Sequence, residues 1–400
     1  MCSEIGPTKN DFGMWVSCIL FSLNLFPFRG HVNENEDGLH VYEAMQMVSL
    51  CNTFPFSNAG YPNVFVPFGY RSIHVTEETP LKNIVRVFKK NEALFLVFRG
   101  TVNNKNSWLE NLHFFQIPAA NSLWVDGKQF KYNFSRNTSA QVHSGYVLGI
   151  HFLREQLDSF IYEQLQAGVK KIVCTGHSQG GALAQLFMAQ LDLNPDFSAV
   201  ELINYSFGSP MIGNSAFAED FDNRFVGGNK SFRFVNVDDF VCKLPVENKG
   251  LGVELFNRNT EIDFEQALAW IKLGLEFAPE SYKSKIDLNT NAAKKIAKDL
   301  VSGLVGDVVF PEFDLNVFYG PTGNTILLDA EPYPDWLEQT SASVEGDSWT
   351  QFFFGYKSEL SREWSFVQHH IFSYYNAIYK RYQPKGFRRV RLLVLPENLI

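Results

Sequence analysis

Two hydrophobic periods run along this chain, one of helices and one of strands. Val41–Asn52 (VYEAMQMVSLCN) spaces its apolar residues as one helical face. Asn83–Phe88 (NIVRVF) and Ala93–Phe98 (ALFLVF) read as strands, the second an unbroken apolar run suited to a sheet covered on both faces. Gly145–Leu165 fits a long helix, Lys171–Thr175 (KIVCT) a short buried strand, and Gly181–Leu193 a second helix. Leu202–Phe207 and Phe232–Val237 repeat the strand pattern. Strands alternating with helices predict an α/β fold with a mostly parallel central sheet flanked by crossover helices.

After Pro245 the pattern changes. Phe264–Phe277 and Ala292–Leu304 read as helices, and Thr325–Asp329 as a strand. This is long for a loop and short for an independent domain, so 246–347 is read as a helical insertion over one end of the sheet. The division expected is an N-terminal segment, 1–37, and a single α/β domain, 38–400. The tail Lys385–Val394 (KGFRRVRLLV) alternates basic and apolar residues, as a terminal strand or docked tail would.

Composition narrows the class. Charged residues are 20% and apolar residues 45%, which excludes a mostly disordered chain. The net charge of −8 gives nucleic acid or an anionic membrane no electrostatic reason to be the main partner. The 38 Phe suit an aromatic core, with some rings left over for an apolar cleft. Five scattered cysteines form no disulfide framework, and Cys174 and Cys242 read as small buried hydrophobes. Met14–Phe28 is apolar but short for a bilayer, and no other segment reads as transmembrane. That stretch resembles the core of an export signal, although Glu4, Lys9 and Asp11 precede it and no cleavage site stands out. A signal implies a secreted or periplasmic protein, and a docked segment implies a cytoplasmic one.

The chemistry begins at Gly176-His177-Ser178-Gln179-Gly180, which fits the G-x-S-x-G nucleophile elbow. A strand ends just before it and a small-residue helix begins just after, so Ser178 would sit on a sharp, strained strand-to-helix turn. Glycine at 176 and 180 removes side chains that would collide there. A serine hydroxyl needs a base, and in this setting the order along the chain is serine, acid, histidine. Seven of the nine histidines precede Ser178, leaving only His369 and His370. The acid should follow a strand, where Asp238 and Asp239 both stand after Phe232–Val237.

Five blocks now carry a resemblance: VFRGT (Val97–Thr101), VHSGY (Val142–Tyr146), TGHSQGGALA (Thr175–Ala184), YSFGSPMIGN (Tyr205–Asn214) and FVNVDDFVCKLP (Phe234–Pro245). In this order the chain resembles the class 3 lipases, α/β-hydrolases that include the fungal triacylglycerol lipases. The resemblance implies an ester hydrolase working through an acyl-enzyme, with Ser178 as nucleophile and Asp239 as acid. It further implies an oxyanion hole at Thr101 and the Gln179 amide, with neither metal nor cofactor. His177 matches an elbow position that is usually histidine but is not the base, and Arg99 matches a structural one. A lid is implied after Thr101, and Asn103–Phe115 carries Trp108, Leu109, Leu112 and Phe115 at helical spacing. Such a lid would cover the cleft in water and open at a lipid–water interface, the substrate being a lipid or other ester.

The histidine block matches loosely. Some members have tyrosine five residues after the base, a spacing met by His370 with Tyr375 and by His369 with Tyr374. His370 is preferred because Ile371-Phe372 behind it reads as the start of a packed helix, with His369 the alternative. A phospholipase A1, a short-chain esterase and a non-catalytic lipase-like binding protein are the competing functions.

Overall fold

The structure is a computed structural model, and the residues it describes are 39–54, 66–102, 105–113, 115–239, 241–247, 305–313, 318–329 and 368–387. In chain order, α1 (Val41–Cys51) precedes β1 (Arg71–Val75), β2 (Val85–Lys90) and β3 (Ala93–Phe98). A short helix, α2 (Lys105–Leu112), leads into β4 (Gln116–Pro118), β5 (Ala120–Val125), β6 (Lys128–Asn133) and β7 (Gln141–His143). The long α3 (Ser144–Gln166), β8 (Lys171–His177), α4 (Gln179–Asp192), β9 (Glu201–Phe207), α5 (Ser215–Phe225) and β10 (Ser231–Asn236) follow. After β11 (Val246–Glu247) come β12 (Val308–Val309), β13 (Phe318–Tyr319), β14 (Asn324–Leu328) and α6 (Ile371–Tyr382).

Seven strands form the central sheet in the order β1-β2-β3-β8-β9-β10-β14. The first two pairings are antiparallel and every later one is parallel. The apolar run of β3 shows why the sheet is covered twice. Leu94, Leu96 and Phe98 point to one face, where they join a core shared with α3, α4 and Phe217, Phe221 and Phe225 of α5. Phe95 and Val97 point to the other, against α1 and α6. A period of two distributes one continuous hydrophobic segment between two layers. Each such side chain removed from water contributes about 1.5–3 kcal/mol. This is the expected α/β arrangement, a mostly parallel sheet with helices on both faces.

Asn324–Leu328 pairs in parallel with β10, so the central sheet continues inside the stretch assigned to the insertion. The helices expected at 264–277 and 292–304, the apolar segment at 14–28 and most of the basic tail lie outside the described residues. No helix among the described residues is long and apolar enough to cross a membrane. Beside the sheet, β5 and β6 form a hairpin joined by β12.

Candidate active site

Strand β8 ends at His177, helix α4 starts at Gln179, and Ser178 between them has φ 55° and ψ −134°. A residue with a side chain pays strain to sit there, and the surrounding glycines show what holds it. A Cβ on Gly176 would lie 2.2 Å from the Gly180 carbonyl oxygen, and one on Gly180 would lie 2.2 Å from that of Phe98. A Cβ on Gly100 would lie 2.8 Å from the His177 carbonyl oxygen and 3.5 Å from Ser178 Cβ. The end of β3 and the Arg99-Gly100-Thr101 turn are therefore pressed against the elbow.

Gln179 opens α4, where the first amides have no acceptor inside the helix. Thr101 is fixed from α2, whose Asn111 Nδ2 donates to Thr101 Oγ1 at 2.9 Å. Tyr146 Oη in turn donates to Asn111 Oδ1 at 3.1 Å. Ser107 Oγ donates to Gln179 Oε1 at 3.2 Å, so one helix touches both the Thr101 turn and the start of α4.

Helix α2 occupies the expected lid position, and two of its polar residues face inward. Ser107 and Glu110 are buried, and Asn83 Nδ2 donates to Glu110 Oε2 at 2.9 Å. Burial pushes the Glu110 carboxyl well above the usual carboxylate range. The side chains of Trp108, Leu109 and Leu112 lie outside the described residues. Phe115 is not on the helix, which ends at Leu112, and its ring packs on His113 and Phe313 instead. An outward swing of α2 would have to break the bonds to Thr101, Gln179 and Asn83.

At the end of β10 the two carboxylates separate. Asp238 is exposed, while Asp239 is fully buried. Asp239 Oδ2 accepts from His369 Nδ1 at 2.8 Å and from Tyr374 Oη at 2.5 Å. Its Oδ1 accepts from the Val241 amide at 2.9 Å. Burial, then the neighbouring Asp239 charge, push the Tyr374 phenol well up, so it remains a donor. Gly208, with φ 61°, makes room, because a Cβ there would lie 3.0 Å from the Tyr374 ring and 3.1 Å from Asp239 Oδ2. The turn is further tied by the buried Arg233, which donates to the Cys242 carbonyl at 2.7 Å and the Ser209 carbonyl at 3.0 Å.

The structure brings His369, not the preferred His370, to Asp239. Helix α6 does begin at Ile371, and that is why His370 is committed elsewhere. As the N-cap residue it accepts the Phe372 amide on Nδ1 at 3.2 Å, and its ring stacks on Phe372. Burial, then the nearby His369, lower its pKa to about 3. His369, one residue earlier, is the imidazole that reaches the acid.

Residues 95–249 match the model of the Lipase (class 3) family. This stretch, less than half of the chain, is similar to class 3 lipases. Among curated relatives, a chloroplastic phospholipase A1 of Arabidopsis thaliana is 31% identical over 196 residues, 46% of this chain and 40% of its own. A lipase of Rhizopus niveus is 30% identical over 172 residues, 41% of this chain and 38% of its own. The chain thus spans less than half the length of these relatives. The solved lipase of Rhizopus microsporus var. chinensis is 21% identical, with a TM-score of 0.40 over 52% of this chain and 69% of that one.

Within this lipase-like stretch each sequence block has a structural job. The first and third make the elbow and the turn beside it. The second seats α2, since a Cβ on Gly145 would lie 2.1 Å from the Glu110 carbonyl oxygen. The fourth supplies Gly208, and the fifth the buried acid. Asn111, Asn236 and Arg233 escaped the sequence reading, because an isolated polar residue carries no periodic signal. Tyr374 was half visible through its spacing from His369.

Proposed function

We propose that the chain is a serine carboxylic-ester hydrolase acting on lipid esters, with Ser178 as nucleophile, His369 as base and Asp239 as acid. The observation that carries this is the 2.8 Å bond from His369 Nδ1 to buried Asp239, on a sheet that also holds the strained Ser178 elbow. With its Nδ1–H donating a hydrogen bond to the carboxylate, His369 keeps Nε2 as the lone-pair acceptor for the Ser178 hydroxyl proton. The alkoxide oxygen attacks the ester carbonyl, and the imidazolium that forms is stabilised by Asp239. Charge developing on the carbonyl oxygen is met by the Thr101 and Gln179 amides, assisted by the Thr101 hydroxyl. His369 then protonates the departing alcohol. Water, activated by the same imidazole, releases the acid from Ser178.

The substrate class is read as triacylglycerol or a related neutral lipid, in line with the resemblance to fungal lipases. A phospholipase A1 is the second reading, favoured by the name of the Arabidopsis relative. A chain-length series of p-nitrophenyl esters, with and without an emulsion, tests the first, and release of the sn-1 fatty acid from phosphatidylcholine vesicles tests the second. Activity that is lost in Ser178→Ala and rises on long esters at an interface supports the lipase. A folded wild type inert on all of these refutes the hydrolase.

A further inference from the structure

His369 begins far from Ser178 in sequence, and only contacts across the fold set the gap between base and nucleophile. Two side chains hold the turn that carries it. Asn236 Nδ2, at the end of β10, donates to Gln368 Oε1 at 2.7 Å and to the Gln368 carbonyl at 3.4 Å. His177 donates its Nε2–H to the backbone carbonyl of His369 at 2.6 Å, across 192 positions of chain. The two imidazole rings are 4.7 Å apart, and the Tyr374 ring stands edge-on to His177 at 5.9 Å.

A carbonyl oxygen can only accept, so the bond fixes the His177 proton on Nε2. Burial, then the neighbouring His369, hold the His177 pKa well below the usual histidine range, and the ring stays neutral. That neutrality suits the neighbour, since a second cation beside His369 would oppose formation of the imidazolium. His177 is also the residue before Ser178, so it moves with the nucleophile.

We propose that His177 is a positioning residue, which sets the approach of His369 to Ser178 by clamping the backbone of the base to the chain neighbour of the nucleophile. This inference rests on the Ser178–His369–Asp239 reading. Misplacement of a reacting group by about 1 Å can cost about a hundredfold in rate, so one hydrogen bond has leverage here.

The test compares wild type, His177→Phe and His177→Gln. Phenylalanine keeps a planar ring without the donor, and the glutamine amide can restore a donor at similar reach. Steady-state hydrolysis of a soluble p-nitrophenyl ester is measured across pH, with folding checked by near-UV circular dichroism. The clamp predicts that His177→Phe lowers kcat about 10–100-fold with KM within about twofold, and displaces the acidic limb of the kcat profile. It predicts that His177→Gln recovers most of that loss. A folded, active His177→Phe with the wild-type kcat and pH profile overturns the clamp alone. An inert wild type overturns the hydrolase and the clamp together. Imidazole 15N shifts of wild type give a readout that needs no variant to fold: an Nε2–H tautomer for His177 supports the clamp, and an Nδ1–H tautomer overturns it.

Discussion

Acidification should unfold this protein through its buried neutral histidines, and His370 offers the cleaner perturbation. In the folded state its pKa is lowered to about 3, against 6.5 for a free imidazole, first by burial and then by His369. Above pH 6.5 neither state binds the proton and the residue costs nothing. As pH falls below 6.5 the unfolded chain takes up a proton that the folded chain refuses until about pH 3, so stability is lost over that window. Each pH unit inside it costs about 1.4 kcal/mol, so descending to pH 5 costs about 2 kcal/mol for His370 alone. The structural cause is double. A charged ring would be buried, and a protonated Nδ1 could no longer accept the Phe372 amide that it caps. His370→Asn keeps an acceptor at the N-cap and removes the titration. Urea unfolding at pH 7 and pH 5 should therefore show the wild type losing about 2 kcal/mol more than the variant between the two conditions. The two proteins losing the same amount would refute the reasoning, and would mean that His370 is not buried in its neutral form.

His143, also lowered to about 3 by burial and then by His113, should behave in the same direction, and His143→Gln should flatten the acid loss further in the same titration. Gly180→Ala brings a Cβ to 2.2 Å from the backbone of Phe98 and should cost about 2–5 kcal/mol, whereas Gly227→Ala meets nothing within 4 Å and should stay within about 0.5 kcal/mol. A thermal shift equal for the two would remove the packing account of the elbow. Tyr374→Phe deletes the 2.5 Å donor to Asp239 and should weaken the acid–base pair by about 1.5–3 kcal/mol, seen as a lower kcat at unchanged KM. Asn111→Ala frees the Thr101 hydroxyl and should lower kcat about tenfold, with fluorophosphonate labelling slowed in proportion. An Asn111→Ala enzyme as fast as wild type would show that α2 does not support the oxyanion turn.

The sheet was legible where burial on both faces left no alternative, as in Ala93–Phe98 and Lys171–Thr175. It was less legible at the hairpin β5–β6, whose faces are mostly exposed or only partly buried. Its turn, Asp126-Gly127 with φ 47° and 75°, is nonetheless a hairpin signal that the sequence displays. Helix α5 hides for another reason. Its three core phenylalanines stand four apart in an otherwise polar segment, a narrow stripe easily taken for loop. In the site, Ser178 and the pair of late histidines could be found by motif and elimination. The choice between His369 and His370 could not, because both precede a helix and the decision lies in which ring the N-cap uses. That placement depends on tertiary partners, as do the contacts of Asn111, Asn236 and Arg233, whose hydrogen bonds join separate segments of the chain.

The most direct measurement is labelling with a fluorescent fluorophosphonate in wild type, Ser178→Ala, His369→Ala and His370→Ala, with a detergent interface present. The account predicts a labelled wild type, no label in Ser178→Ala, a collapse in His369→Ala, and near-normal labelling in folded His370→Ala. Labelling that survives in His369→Ala and vanishes in a folded His370→Ala would contradict it, and a folded wild type that never labels would remove the nucleophile itself.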